Sequence, residues 1–189
     1  MPPARDDLLE RTIGYVAANG MSDASLRELA AAVGTSHRML LYHFDSREGL
    51  VAAIVESIEA RQREALDELA VGAASPRDLI ERQWAQLSDP ALRPFVVLFF
   101  EVLALALHRR PGTEGFLDRI TDPWLDLAER LADQLDLATD RDELRLGVAV
   151  VRGLLIELLA SGDHVAATAS LHRYLDLWEQ AAWQAPGHR

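Results

Sequence analysis

The sequence predicts an all-α chain of about nine helices, in which a three-helix N-terminal head is joined by a long helix to a larger helical body. Three observations lead there. Apolar residues recur at i, i+3, i+4 and i+7 through most of the chain. No stretch alternates apolar and polar residues as a half-buried strand would. The interruptions fall at Gly, at Pro, or at Ser and Asp, the residues that stop and start helices. Within this pattern Ser25–Leu50, SLRELAAAVGTSHRMLLYHFDSREGL, reads as two short helices about a Gly-containing turn, a helix-turn-helix.

Composition narrows the function classes. With 189 residues, 49% hydrophobic and 26% charged, the chain has the makings of a real core and is not a disordered segment. It has no cysteine, which excludes disulfides and thiolate metal sites. The opening MPPARDDLLERT lacks a basic region followed by an apolar run, so no secretory leader is expected. The longest apolar run, residues 95–107, is interrupted by Glu101 and is too short to span a bilayer. A cytoplasmic protein with no membrane partner is the expectation. Net charge is −11; residues 1–50 hold five Arg against seven acids, net −2, which leaves −9 for the remainder. Between Ala24 and His43 two Arg face a single acid, Glu28, so a weakly positive tip stands on a negative body.

The first helix is expected over about Arg5 to Ala18, with Leu9, Ile13, Val16 and Ala17 on one stripe, a stop at Asn19-Gly20 and Met21 re-entering the core. Ser25-Leu-Arg-Glu28 has the form of a capping box opening the second helix. Leu26, Leu29, Ala30 and Val33 give that helix its buried face, and Gly34 ends it. The third helix starts at Thr35 or Ser36 and buries Leu40 and Phe44. Arg38 and Tyr42 then share the opposite face, with Thr35, His37 and Met39 beside them at the N-terminal end, as a recognition helix requires. Asp45-Ser46 starts a fourth helix that runs to Val71-Gly72. Further helices are expected from Ser75-Pro76, over about 95–108, over about 114–135 with a bend at Asp122-Pro123, over 140–160 and over 164–185.

These residues, from Gly34-Thr-Ser-His-Arg-Met-Leu-Leu-Tyr-His-Phe to Asp45-Ser-Arg-Glu-Gly-Leu50, resemble the recognition-helix signature of the tetracycline-repressor (TetR) family. The likeness reaches back through Ser25-Leu-Arg-Glu-Leu-Ala to the first helix, roughly the first quarter of the chain. It implies a DNA-binding domain over 1–48 and an effector-binding and dimerisation domain over 49–189. It also implies Ser25 and Arg27 near phosphates, Ser36, His37, Arg38 and Met39 at the groove, and Tyr42, His43 and Arg47 on the DNA backbone. Two positions depart from the family pattern. Leu41 stands where many members have Tyr, which removes a phosphate hydrogen bond. Gly49 replaces a frequent Glu, which leaves Ser46 without a capping-box partner.

In the body, Leu144, Val148, Val151, Leu155 and Leu158 on one helix and Leu171, Leu175 and Trp178 on the next offer apolar surface for a four-helix interface with a second copy, the alternative being that they close the core of a single copy. Family members dimerise through their last two long helices. Glu101, inside FVVLFFEVLALAL, has two readings: a polar anchor in an effector pocket lined by Trp84, Phe99, Phe100, Leu103 and Trp124, or a carboxylate on a wet helix face. His108, His164 and His172 lack the spacing of metal ligands, and no phosphate loop or nucleophile elbow occurs, so neither metal, cofactor nor enzyme activity is expected. The function read from the sequence is a one-component transcriptional regulator and repressor. It would bind a palindromic double-stranded operator as a homodimer and be released or modulated by a small, largely apolar effector of unknown identity. The alternative is an all-helical ligand-binding protein or enzyme that retains the head as a structural module.

Overall fold

The computed structural model describes residues 5–19, 25–135 and 137–184. Among them every regular element is a helix: α1 (Arg5–Asn19), α2 (Leu26–Ala32), α3 (His37–Phe44), α4 (Arg47–Ala70), α5 (Pro76–Leu87), α6 (Arg93–Leu107), α7 (Phe116–Arg119), α8 (Asp122–Gln134), α9 (Arg141–Ser161) and α10 (His164–Gln184). Gly20, Met21 and Ala185, given above to helix ends and core, lie outside the described residues.

The helix expected over 114–135 is two helices rather than one bent one. Gly115, at φ +69°, precedes the four-residue α7, and α8 opens with Pro near its N-terminus. In a continuous helix the Pro123 ring would strike the carbonyl four residues back and remove a hydrogen bond, so the chain restarts there instead of bending.

The chain divides into two compact units, Met1–Arg63 with Pro90–Ile120, and Glu64–Asp89 with Thr121–Arg189. The division falls inside α4 and not at the 48/49 boundary drawn from the sequence. Its physical reason is the core of the first unit. Leu8, Ile13 and Val16 of α1, Leu29 of α2, Leu40 and Phe44 of α3 and Leu50, Val51 and Ile54 of α4 share one cluster with Phe95, Leu98, Phe99, Val102 and Ala106 of α6. The α6 side chains repeat at helical spacing, and each large one contributes roughly 1.5–3 kcal/mol by leaving water. A head of some fifty residues is marginal by itself, and α6 supplies the missing core.

In the second unit Leu66, Leu79, Trp124, Leu127 and Leu131 form a cluster joined by Val148, and α9 packs between α8 and α10. Polar ties fix these helices. Arg77 of α5 donates to Asp176 at 2.6 Å and to Glu179 at 2.9 Å on α10, and those carboxylates push its guanidinium pKa up. Arg141, in the first turn of α9, spans Asp126 and Glu129 of α8. The Trp84 indole N–H donates to Thr168 Oγ1 at 2.9 Å, and His164 lies between Ser88 Oγ at 3.0 Å and Thr168 Oγ1 at 3.4 Å.

Glycines in the first unit give a paired prediction. Nothing lies within 4 Å of a Cβ built on Gly14 in α1, whereas one on Gly49 would overlap the Phe44 carbonyl oxygen. Gly14→Ala should stabilise the chain by about 0.5–1 kcal/mol through helix propensity. Gly49→Ala should destabilise it by about 1–3 kcal/mol through overpacking. Urea unfolding of both variants checks the signs, and equal shifts would refute the close contact at Gly49.

Candidate nucleic-acid interface

The α2–α3 unit is built by local hydrogen bonds that its sequence specifies. Ser25 Oγ accepts from the Glu28 N–H at 3.3 Å, and Glu28 Oε2 accepts from the Ser25 N–H at 2.8 Å, completing the capping box. The Ser25 hydroxyl and, after it, the Ser25 backbone N–H stabilise the carboxylate, so the Glu28 carboxyl sits below its ordinary range. At the other end Gly34 takes φ +66°, the Gly34 N–H donates to Ala31 O at 3.2 Å and the Thr35 N–H to Ala30 O at 2.8 Å. This 6→1 and 5→2 pair is a Schellman stop, and it turns the chain directly into the next cap. Ser36 Oγ there accepts from the Met39 N–H at 3.2 Å and opens α3.

Burying Leu40 and Phe44 turns the opposite face of α3 outward. Ser36, Arg38 and Tyr42 are exposed, Tyr42 to 76%, and Ser25 and Arg27 are exposed at the start of α2. Neither Arg27 nor Arg38 makes an ion pair with a described residue, so two guanidinium groups are presented to solvent on this surface. Thr35, His37, Met39, His43 and Arg47 are half-buried. His43 stands edge-on to Tyr42, ring centroids 4.9 Å apart, and its Nε2 is buried with no hydrogen-bond partner among the described residues. Arg47 Nη1 donates to Glu101 Oε1 on α6 at 3.1 Å.

The remaining candidates fall differently from the sequence reading. Phe99 belongs to the core of the first unit, with Phe100 and Leu103 packed against it and Glu101 engaged by Arg47. Trp84 and Trp124 are buried in the second unit. Of the residues chosen for an interface, Leu155, Leu171 and Leu175 are buried inside the second unit and build its own core, while Leu144, Val148, Val151, Leu158 and Trp178 are half-buried. The outward face of α9 is a different stripe: Leu146 at 56%, Ala149, Gly153, Ile156 at 52%, and Ala160. Helical periodicity identifies apolar stripes but does not say which of two adjacent stripes a neighbour covers. Small residues such as Ala149 and Gly153 carry too little hydrophobic signal to mark the second.

Residues 8–54 match the family model described as bacterial regulatory proteins, tetR family. The HTH-type transcriptional repressor AcnR of Corynebacterium diphtheriae is 26% identical over 185 residues, 94% of this chain and 90% of AcnR. Residues 8–54 thus carry the DNA-binding region of the TetR family, and over most of its length the chain is similar to TetR-family regulators. A solved TetR-family regulator from Pectobacterium atrosepticum has the same fold, with TM-score 0.69 and 20% identity over 92% of this chain and 91% of its own. The multidrug binding protein EbrR, solved with imidazole, superimposes with TM-score 0.60 at 24% identity over 92% of this chain and 90% of its own. The TetR-family match covers the capping box, the Schellman turn and the whole of α3. Among the described residues no helix is long and apolar enough to cross a membrane.

The capping box gives a pH prediction. Because the folded-state pKa of Glu28 is depressed, its contribution is present above the unfolded carboxylate range and is lost as pH falls through the folded value. The Ser25 and Glu28 amide resonances should therefore move together on acidification below about pH 4. In Glu28→Ala the Ser25 shift should be absent; an unchanged titration of Ser25 in that variant would refute the reciprocal bond.

Proposed function

We propose that this TetR-family regulator is a repressor that binds a near-palindromic operator as a homodimer, with each head entering a major groove and a small, largely apolar effector modulating the complex. The observation that carries the reading is the outward face of α3. Arg38 and Tyr42 are free in solvent on a helix whose other face is locked in the core, and Arg38 has the fork geometry that reads guanine O6 and N7. Ser25, Arg27 and Tyr42, all exposed, would touch phosphates beside it, which fixes register without reading sequence. Thr35, Ser36, His37 and Met39 would meet the groove edge, and half-buried His43 would lie beside the DNA backbone.

The homodimer is supported by the exposed apolar stripe Leu146, Ala149, Gly153, Ile156 and Ala160, joined on α10 by Val165, Ala166, Ala169 and Leu177. Two such helices from each copy form a four-helix seam, and small residues let the backbones approach. Two copies are also an electrostatic necessity. A head of net −2 makes few phosphate contacts, and non-specific affinity grows with the number of phosphates neutralised.

One titration tests the reading. Fluorescence anisotropy with DNA flanking the protein's own coding region should give saturable binding that falls steeply with salt. Arg38→Ala should lose about 1–3 kcal/mol of discrimination between specific and random duplexes. Ile156→Asp should yield a monomer by sedimentation and weaken operator binding at least tenfold. A folded wild-type dimer that retards no DNA would instead favour a ligand-binding protein or enzyme that keeps the head as a structural module.

A further inference from the structure

We propose that Arg47 is a clasp inside the protein and not a phosphate contact, and that Glu101 acts through it as a positioning residue for operator binding. The inference rests on the regulator reading given above for its DNA readout, and its structural half stands independently.

The case begins at the elbow between α3 and α4. Asp45 has φ +62° and ψ −41°, outside the regions an L-residue favours. The Ser46 N–H folds back onto Phe44 O at 2.6 Å, a γ-turn of the rarer positive-φ kind. Asp45 is itself exposed, so the packing that holds this strain must come from its neighbours. Ser46 Oγ accepts from the Gly49 N–H at 2.9 Å. Gly112, at φ +87° in the segment after α6, lies so close that an added Cβ would fall 2.6 Å from Ser46 Oγ and 2.7 Å from Gly49 N. The missing side chain of Gly112 thus lets the backbone after α6 seat directly on the elbow. At Gly49 a Cβ would fall 2.2 Å from Phe44 O, so a side chain there collides with the elbow itself.

Arg47 closes the same joint from the side. Its guanidinium reaches 54 residues along the chain to Glu101, and the two side chains are only 27% and 33% exposed. Further along α4, Glu56 accepts from Arg119 at the end of α7. The start of α4 is therefore tied to α6 and to α7 by separate ion pairs. A guanidinium paired with a carboxylate has its charge offset, and swinging Nη1 out to DNA would require giving up Glu101. Because the elbow sets the angle at which the recognition helix leaves α4, the Glu101 carboxylate influences the groove-facing surface from outside it.

The test compares Arg47→Gln, Glu101→Gln, the double variant and the exchange Arg47→Glu/Glu101→Arg in the full chain. Operator affinity is measured by anisotropy at several salt concentrations, and stability by urea unfolding. Each single variant should weaken operator binding about two- to fivefold, the range for a partly exposed pair. The double should be no weaker than the worse single, the exchange should recover affinity, and the slope of log K against log salt should not change. The opposite pattern overturns the proposal: Arg47→Gln flattening the slope by about 0.9, the value of one lost phosphate contact, with Glu101→Gln neutral or tighter. If the wild-type chain binds no DNA, the regulator reading fails with the positioning role. The clasp is then decided by unfolding, where the two single variants should be non-additive and full additivity overturns it.

Discussion

The recognition helix faces outward because Leu40 and Phe44 face inward, and that inward seat exists only where α6 meets the first four helices. An eight-residue helix has little intrinsic stability, since nucleating a turn fixes several residues for one hydrogen bond. Its orientation comes from two large side chains in a shared core, from the Ser36 cap at one end, and from the ring of Phe44, over which the Arg5 guanidinium carbon stands at 5.1 Å. Remove the α6 side chains and the seat becomes an open groove. The unit that presents α3 therefore includes residues 90–120 as well as the N-terminal segment.

Charge distribution explains why such a surface can serve an acidic protein. Most of the −11 sits beyond Leu50, and many of those carboxylates are occupied: Asp176 and Glu179 by Arg77, and Asp122, Asp126 and Glu129 by Arg141. Around α3 the exposed charges include Arg27 and Arg38, without ion-pair partners among the described residues, beside the acids Glu28 and Asp45. A weakly positive face on a negative body favours one orientation towards DNA and gives little affinity in any other. On the proposed reading, specificity then depends on few base contacts made twice, by two copies.

Much of this was legible in the sequence because the signals are local. Ser25 with Glu28, Gly34 followed by Thr35 and Ser36, and the Leu40–Phe44 spacing each fix a geometry within a few residues, and each is found. Non-local contacts were not legible. Nothing in FVVLFFEVLALAL says that Glu101 meets Arg47, or that Gly112 seats against Gly49, since both depend on segments more than fifty residues apart. On α9 the periodicity marks Leu155, which is buried, and Leu144, Val148, Val151 and Leu158, which are half-buried, but it does not mark the more exposed stripe of Leu146, Ala149, Gly153, Ile156 and Ala160 beside them. The helix over 114–135 was read as continuous because its apolar spacing persists across a break that Gly115 and Pro123 impose on the backbone.

The account's central claim is that α3 reads DNA as one half of a two-headed reader. Hydroxyl-radical footprinting of the wild-type protein on DNA flanking its own coding region tests it most directly. Two protected patches related by a dyad, with centres about one or more whole helical turns apart, are the predicted result. A single patch, or uniform protection without a dyad, would contradict the claim.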